Sequence, residues 1–266
     1  VSISPSKEIK TFKVLSNKQE KNYDPIIAGI KLVKAANKNY TDFPVDKIKI
    51  GTTIGTNALL ERKGCKVALC VTKGFKDNFL IGTQQRKSIF SRHHFRKAPL
   101  YKSVIEVDER ISNTGEDIKE IKEVDVRTKL KATLKSGIET MAIVLVNSFR
   151  FPKNEIKVFK IAQELGFKYI SCSHIVCPTI NFTSRGFTTL VDAYISPVIK
   201  KYVHRISKNI DAKEIVFMQS NGFLSSGEKL SGKNVILSGP AGGVVAGVKI
   251  SKKNKREKVI GFDMGG

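Results

Sequence analysis

The sequence predicts an α/β protein in which sheet strands alternate with helices. Three observations carry that expectation. Short apolar runs rich in Val and Ile recur, glycine-containing turns follow them, and stretches with helical spacing come next. The clearest unit lies at 137–171. There the strongest strand, Met141-Ala142-Ile143-Val144-Leu145-Val146, precedes a helix and then Tyr169-Ile170-Ser171. A crossover through a helix implies that the two strands pair in parallel.

The first segment, Ile9 to Ser16, alternates partly like an edge strand. Asp24-Pro25 then opens a helix, with Asp at the cap, Pro in the first turn, and Ile26, Ile27, Ile30 and Val33 at helical spacing. Lys47 to Ile50 is a short strand running into Gly51-Thr52-Thr53-Ile54-Gly55-Thr56-Asn57, and Ala58 to Lys63 reads as a helix that stops at Gly64. Val67 to Val71 is an apolar strand before a turn at Lys73-Gly74-Phe75. In the less regular region 98–118, Val104 to Val107 is a strand and Asn113 to Glu116 a turn. Asp125 to Lys135 carries Val126, Leu130 and Leu134 four apart, as a helix does. Pro152 opens the next helix, which stops at Gly166. A long helix follows from Thr188 to about Asn209, interrupted near Pro197. Glu214 to Gln219 is a strand into a turn at Ser220-Asn221-Gly222. Beyond Leu230 the chain becomes small and flexible, and the charged run Ser251 to Lys258 reads as an exposed connection to a last strand.

Composition narrows the function classes. The 266 residues suffice for one large domain or two ordinary ones, and 41% hydrophobic with 27% charged residues is the balance of a soluble globular protein. No stretch approaches the ~20 apolar residues of a membrane span. The net charge of +23 points towards nucleic acid, but 37 of the 47 basic residues are Lys and they spread along the chain. Base readout favours Arg, and single-strand platforms need aromatics between the charges. Trp is absent and no segment alternates Arg with Phe or Tyr, so a solvated Lys-rich surface is expected and no nucleic-acid partner. The densest patch, Arg86 to Lys97, reads as an exposed loop or an attractor for an anion. Cys65, Cys70, Cys172 and Cys177 lack the tight Cys-x-x-Cys spacing of a closed zinc site, which leaves free thiols in a reducing cytoplasm.

Two glycine-rich elements and the sequence end carry candidate chemistry. Gly51 to Asn57, between a strand and a helix, offers exposed N–H groups and the hydroxyls of Thr52, Thr53 and Thr56 to an anion or polar substrate. The same residues also suit an ordinary capped turn. The second element is Ser238-Gly239-Pro240-Ala241-Gly242-Gly243-Val244. It shortly precedes Val259 to Phe262, an apolar run delivering Asp263 into Met264-Gly265-Gly266. Such a strand-to-turn suits a phosphate at Gly265 and Gly266, with Asp263 holding Mg²⁺ through water; Gly239, Gly242 and Gly243 are a second nucleotide contact. Neither element is a P-loop or a dinucleotide fingerprint, and no Gly-x-Ser-x-Gly or His-Glu-x-x-His motif occurs.

Longer blocks extend these motifs. Gly51 to Gly64, Thr72 to Asp77, Ile81 to Gln84, Asp108 to Ile111 and Asn147 to Arg150 resemble the N-terminal region of the hydantoinase A / 5-oxoprolinase family. Arg185 with Thr188 to Tyr194, Met218 to Gly222, Leu237 to Val244 and Phe262 to Gly266 complete the pattern. The resemblance implies an incomplete actin/hexokinase-like ATPase fold, with mixed sheets and flanking helices, in a cyclic-amide hydrolase using ATP and Mg²⁺. ATP would phosphorylate the ring amide oxygen, turning a poor electrophile into one with a good leaving group. It implies Asp263 as the catalytic metal-holding residue, and Thr52, Thr53, Thr56, Asn57 and Arg185 towards substrate or nucleotide. It also implies a B-type hydantoinase subunit or fused region, an oligomer, and a cytoplasmic location. An N-terminal region at 1–190 would be followed by the start of the catalytic region at 191–266. An acetone-carboxylase-type subunit and a non-catalytic actin-like binding module are the alternatives.

The sequence departs from the family pattern in two ways. An Asp-x-Gly-Gly-Thr-x-Thr-Asp element is expected ahead of residue 9 and a Thr after Gly266, so the sequence reads as a piece cut at both ends that would not hydrolyse ATP alone. Ser184-Arg185-Gly186 stands where Glu-Arg-Thr is usual, leaving that acid without a counterpart.

Overall fold

The computed structural model describes residues 1–15, 24–36, 45–83, 88, 90 and 98–262. A two-stranded hairpin, β1 (Ser2–Ile3) and β2 (Ile9–Lys10), precedes α1 (Pro25–Ala36). Asp24 caps this helix through Oδ1, which accepts the Ile26 N–H at 2.9 Å. Then come β3 (Val45–Ile50), α2 (Ile54–Leu60), β4 (Val67–Thr72), α3 (Asn78–Ile81) and β5 (Tyr101–Val107). A small hairpin, β6 (Arg110–Ile111) and β7 (Asp117–Lys119), turns at Gly115, whose φ of +97° suits glycine. The rest comprises α4 (Glu123–Lys135), β8 (Thr140–Val144), α5 (Lys153–Leu165), β9 (Tyr169–Cys172), α6 (Ser173–Val176), α7 (Phe182–Asn209), β10 (Ala212–Met218), β11 (Leu224–Ser226), α8 (Gly232–Val235) and α9 (Ser238–Lys253).

The larger sheet has the order β5-β4-β8-β9, all parallel, in keeping with the crossover expected at 137–171. Every residue of β4 and β8 is buried, as parallel strands covered on both faces require. Alternation along β4 divides two cores. Val67, Leu69 and Val71 pack with Leu190, Ala193 and Ile195 of α7, whereas Ala68 and Cys70 pack with Val126 and Leu130 of α4 and Val158 and Ile161 of α5. The smaller sheet, β11-β10-β3, is mixed: β10 runs parallel to β3 and antiparallel to β11. Its Ile50 and Phe217 join the same cluster as α7, so one long helix serves both sheets. An α/β fold with mixed sheets and flanking helices is thus what the chain forms.

Four segments differ from the sequence reading. The edge strand expected over 9–16 is reduced to Ile9–Lys10 among the described residues. Helix α7 starts at Phe182 and runs through Pro197 without a break. Proline removes one helical bond there, but Ile195, Pro197 and Ile199 are all buried, and that packing outweighs the loss. The stretch expected to be flexible beyond Leu230 forms α8 and α9. Finally, Val259 to Phe262 form no strand and are exposed, since no strand pairs with them among the described residues. The division at 190/191 falls inside α7.

Gly186 of α7 lies tight against Phe79 of α3 and Val144 of β8. A Cβ there would sit 2.1 Å from Phe79 Cε1 and 3.3 Å from Val144 Cγ1. Gly186→Ala gains about 1 kcal/mol of helix propensity but overpacks a buried contact at a typical cost of about 1–3 kcal/mol. The expected outcome is a lower melting temperature by calorimetry.

Candidate functional site

The structure brings the two glycine-rich elements together. Ser238 Oγ donates to the Thr52 carbonyl at 2.7 Å, across 186 positions of sequence, and the Thr56 hydroxyl donates to the Ile236 carbonyl. A Cβ on Gly239 would lie 3.2 Å from Thr53 Cγ2, and one on Gly55 would lie 2.7 Å from Val235 Cγ2. The first turns of α2 and α9 therefore abut. The loop reading of Gly51 to Asn57 is shortened, because α2 begins at Ile54 and Gly55, Thr56 and Asn57 are already helical.

Hydrogen bonding sorts the polar residues at this junction. Thr52 Oγ1 accepts the Ile54 N–H at 3.2 Å and also bonds the Tyr202 phenol, which burial pushes upward in pKa while Thr52 opposes. Thr56 is spent on Ile236. Among the described residues Thr53 makes no side-chain cap bond and accepts from Asn57 Nδ2 at 3.5 Å, which leaves its hydroxyl proton to give. In α9 the Ala241 N–H bonds the Leu237 carbonyl. The N–H groups of Ser238 and Gly239 lie ahead of that bond, as helix starts require, and Pro240 has none to satisfy.

Gly242 and Gly243 carry a different signal. Each lies within a helix, and each has nothing within 4 Å of where a Cβ would go. The fold itself gives no steric reason for glycine, yet each weakens the helix by roughly 1 kcal/mol relative to Ala. Open space beside a bare backbone is what close approach of a phosphate needs. Asp263, Gly265 and Gly266 lie outside the described residues. Among the described residues no group of three or more His, Cys, Asp or Glu is placed to hold a metal.

Arg185 sits elsewhere, fully buried at 1% exposure. Its Nη1 donates to the Thr179 carbonyl at 2.7 Å, Nη2 to the Leu145 carbonyl at 2.8 Å, and Nε to Ser173 Oγ at 3.0 Å. The rings of Phe149 and Phe182 lie 5.6 and 5.4 Å from its guanidinium carbon. Burial lowers its pKa and Glu155 opposes that. Glu155 is buried too, and accepts from Leu145 N, Ser148 Oγ, Ser173 Oγ and both His174 N and Nδ1, at 2.6 to 3.0 Å. The sequence reading missed Glu155, although a carboxylate three and seven positions before the apolar Val158 and Ala162 signals a polar group on a buried helical face.

The larger sheet has a topological switch point between β4 and β8, the usual ligand crevice of open α/β sheets. Here side chains fill it. Thr72 Oγ1 accepts the Val146 N–H at 3.0 Å and donates to the buried Glu109, whose other oxygen accepts from Asn154 Nδ2 at 2.7 Å. Burial raises the Glu109 pKa, with Thr72 and Asn154 opposing. The junction of α2 and α9 is left as the candidate site.

Comparison with known proteins agrees with the motifs. A model described as the hydantoinase/oxoprolinase N-terminal region matches residues 1–166, and one described as hydantoinase/oxoprolinase matches 185–266. The chain belongs to the hydantoinase/oxoprolinase family. Within it, 5-oxoprolinase 1 of Arabidopsis thaliana is 42% identical over 250 residues, covering 84% of this chain and 20% of that protein. The crystal structure of an ATP-dependent caprolactamase from Pseudomonas jessenii superposes with a TM-score of 0.81 at 26% identity, over 97% of this chain and 39% of that one. The nucleotide-free structure of an acetone carboxylase shares the fold at a TM-score of 0.67 and 22% identity, over 78% of this chain and 32% of that one. The chain thus spans about a fifth of the length of the curated 5-oxoprolinases it matches.

The Arg185 fork lends itself to a direct check. Lysine cannot reach Ser173, Thr179 and Leu145 together. Arg185→Lys is expected to lower unfolding free energy by about 3 kcal/mol, as broken buried charge networks do, measured in urea.

Proposed function

We propose that this chain supplies the nucleotide-holding part of an ATP-dependent cyclic-amide hydrolase. The observation that carries the reading is the direct bonding of Ser238 to Thr52 and of Thr56 to Ile236, which joins both glycine-rich elements at two abutting helix starts. Family membership and the caprolactamase likeness support it. ATP would supply a phosphoryl group that activates the ring amide for opening.

The residues of this chain would bind and orient. The N–H of the half-buried Gly239 faces anionic oxygens with the positive end of α9 behind it, while the buried Ser238 holds the turn in place. Gly239, Gly242 and Gly243 allow the backbone to approach. Thr53 and Asn57 offer the remaining polar contacts from α2, with Thr52 and Thr56 holding the junction in place. Arg185 supports the start of α7 rather than touching a ligand. Asp263, Gly265 and Gly266 would complete the site in this reading, with Asp263 holding Mg²⁺ through water and the metal offsetting phosphate charge. The substrate is a small cyclic amide, with a B-type region or subunit and an oligomer completing hydrolysis. The division at 190/191 separates two functional regions of this site-bearing chain.

A cytoplasmic location fits the four free cysteines, two of them buried with thiols that burial pushes up in pKa, as a reducing compartment favours. No helix among the described residues is long and apolar enough to cross a membrane.

The test uses the whole protein, in a cyclic-amide-dependent ATPase assay. Gly243→Ala should raise helix stability by about 1 kcal/mol and weaken ATP binding about tenfold, opposite directions that a purely structural glycine would not show. ATP hydrolysis indifferent to cyclic amides would overturn the reading, and a requirement for bicarbonate would favour the acetone-carboxylase type. Asp263→Asn with unchanged Mg²⁺-dependent activity would remove Asp263 from the metal site.

A further inference from the structure

The segment that leads into α9 is tied down residue by residue. Gly232 N donates to Ser196 Oγ at 2.8 Å, and Lys233 N donates to Asp192 Oδ1 at 2.9 Å. The Asn234 carbonyl accepts from Ser220 N at 2.6 Å and Ser220 Oγ at 2.9 Å. Val235 packs on Gly55, the Ile236 carbonyl accepts from Thr56, and Leu237 N donates to Ser220 Oγ at 3.0 Å. Ser238 then reaches Thr52. At Gly242, Gly243 and Gly247, by contrast, nothing among the described residues lies within 4 Å of where a Cβ would go.

Two of these ties come from the middle of α7. Asp192 is only 5% exposed, and its second oxygen accepts from Ser171 Oγ of β9 at 2.8 Å. One carboxylate therefore links the larger sheet to the first residues of α8. Glycine at 232 is required by this clamp, since a Cβ there would meet the Asp192 carbonyl oxygen at 2.7 Å and Ser196 N at 2.9 Å. The Lys233 side chain adds a bond to the Val176 carbonyl, fixing the same corner from the α6 side.

We propose that Asp192 is a positioning residue for the nucleotide site: it sets the start of α8, and through the bonded segment 232–238 it fixes the first turn of α9 against α2. This rests on the nucleotide reading of the junction given above. A buried carboxylate accepting a backbone N–H is a stronger tie than a neutral acceptor, and it acts at a distance from the ligand. Loss of the tie would leave the junction residues present but loosely placed, which lowers binding without removing any ligand contact.

The test compares wild type with Asp192→Ala, Asp192→Asn and Ser196→Ala in the full-length protein. A fluorescent ATP analogue is titrated, the KM for the cyclic amide is measured, and amide hydrogen exchange is followed by peptide. Asp192→Ala is expected to exchange faster within 232–241 and to bind the analogue about tenfold more weakly, with the amide KM unchanged. Asp192→Asn keeps an acceptor for Lys233 N–H and should recover most of the affinity. Ser196→Ala, which removes the neighbouring tie and leaves Asp192 intact, should move both readouts in the same direction by about threefold. Unchanged nucleotide affinity in Asp192→Ala, or faster exchange spread evenly over the chain, would overturn the positioning role. A wild-type protein that binds no nucleotide overturns the junction's nucleotide reading itself, whereas exchange confined to 232–241 would still show the anchor.

Discussion

A carboxylate with no exposed surface must be matched by donors, and Glu155 of α5 is matched by five donors on four residues from two other segments. Leu145 and Ser148 come from the turn that follows β8, Ser173 and His174 from the start of α6, and Glu155 itself from the first turn of α5. Desolvation would make an unpaired carboxylate here prohibitive, so these chain ends converge or the fold does not close. Ser173 passes the constraint on, since its hydroxyl donates to Glu155 and accepts from Arg185. The start of α7 is thereby fixed relative to the carboxyl ends of β8 and β9.

From that point α7 works as a ruler. At 28 residues it extends about 42 Å at 1.5 Å per residue. Its early part lies on β8 and β9, its middle carries Asp192 and Ser196, and its later residues Tyr202 and Ile206 pack with Phe217 of the smaller sheet. The Arg185 contacts at the start of α7 and the Asp192 and Ser196 ties to α8 thus lie on one continuous helix.

Much of the larger sheet was legible in the sequence because its signals are local. Val67 to Val71, Met141 to Val144 and the Gly166 stop announce themselves through apolar runs and a glycine, which takes the left-handed conformation at φ +98° as the stop signal requires. The candidate site was legible as two separate motifs, and their meeting was not, because nothing local in Thr52 or Ser238 reports a partner 186 positions away. Helix α9 was misread for a clear reason. Four glycines within Ser238 to Lys253 lower the intrinsic propensity, and tertiary anchoring at its first turn overrides them. Pro197 misled in the same way, through a local rule that burial on both sides defeats. Arg185 was visible as a residue of a familiar block, whereas its engagement by three protein acceptors depends on loops that only the fold brings near.

The family regions at 1–166 and 185–266 divide the sequence, and the shared apolar cluster does not respect that division. Val67, Leu69 and Ala142 from the first region and Leu190, Ile195 and Ile199 from the second shield one another from water. A chain severed between the two would leave the α7-facing side of β4 and β8 wet on one piece and the apolar stripe of α7 wet on the other. The boundary that sequence comparison draws therefore runs through one shared apolar cluster.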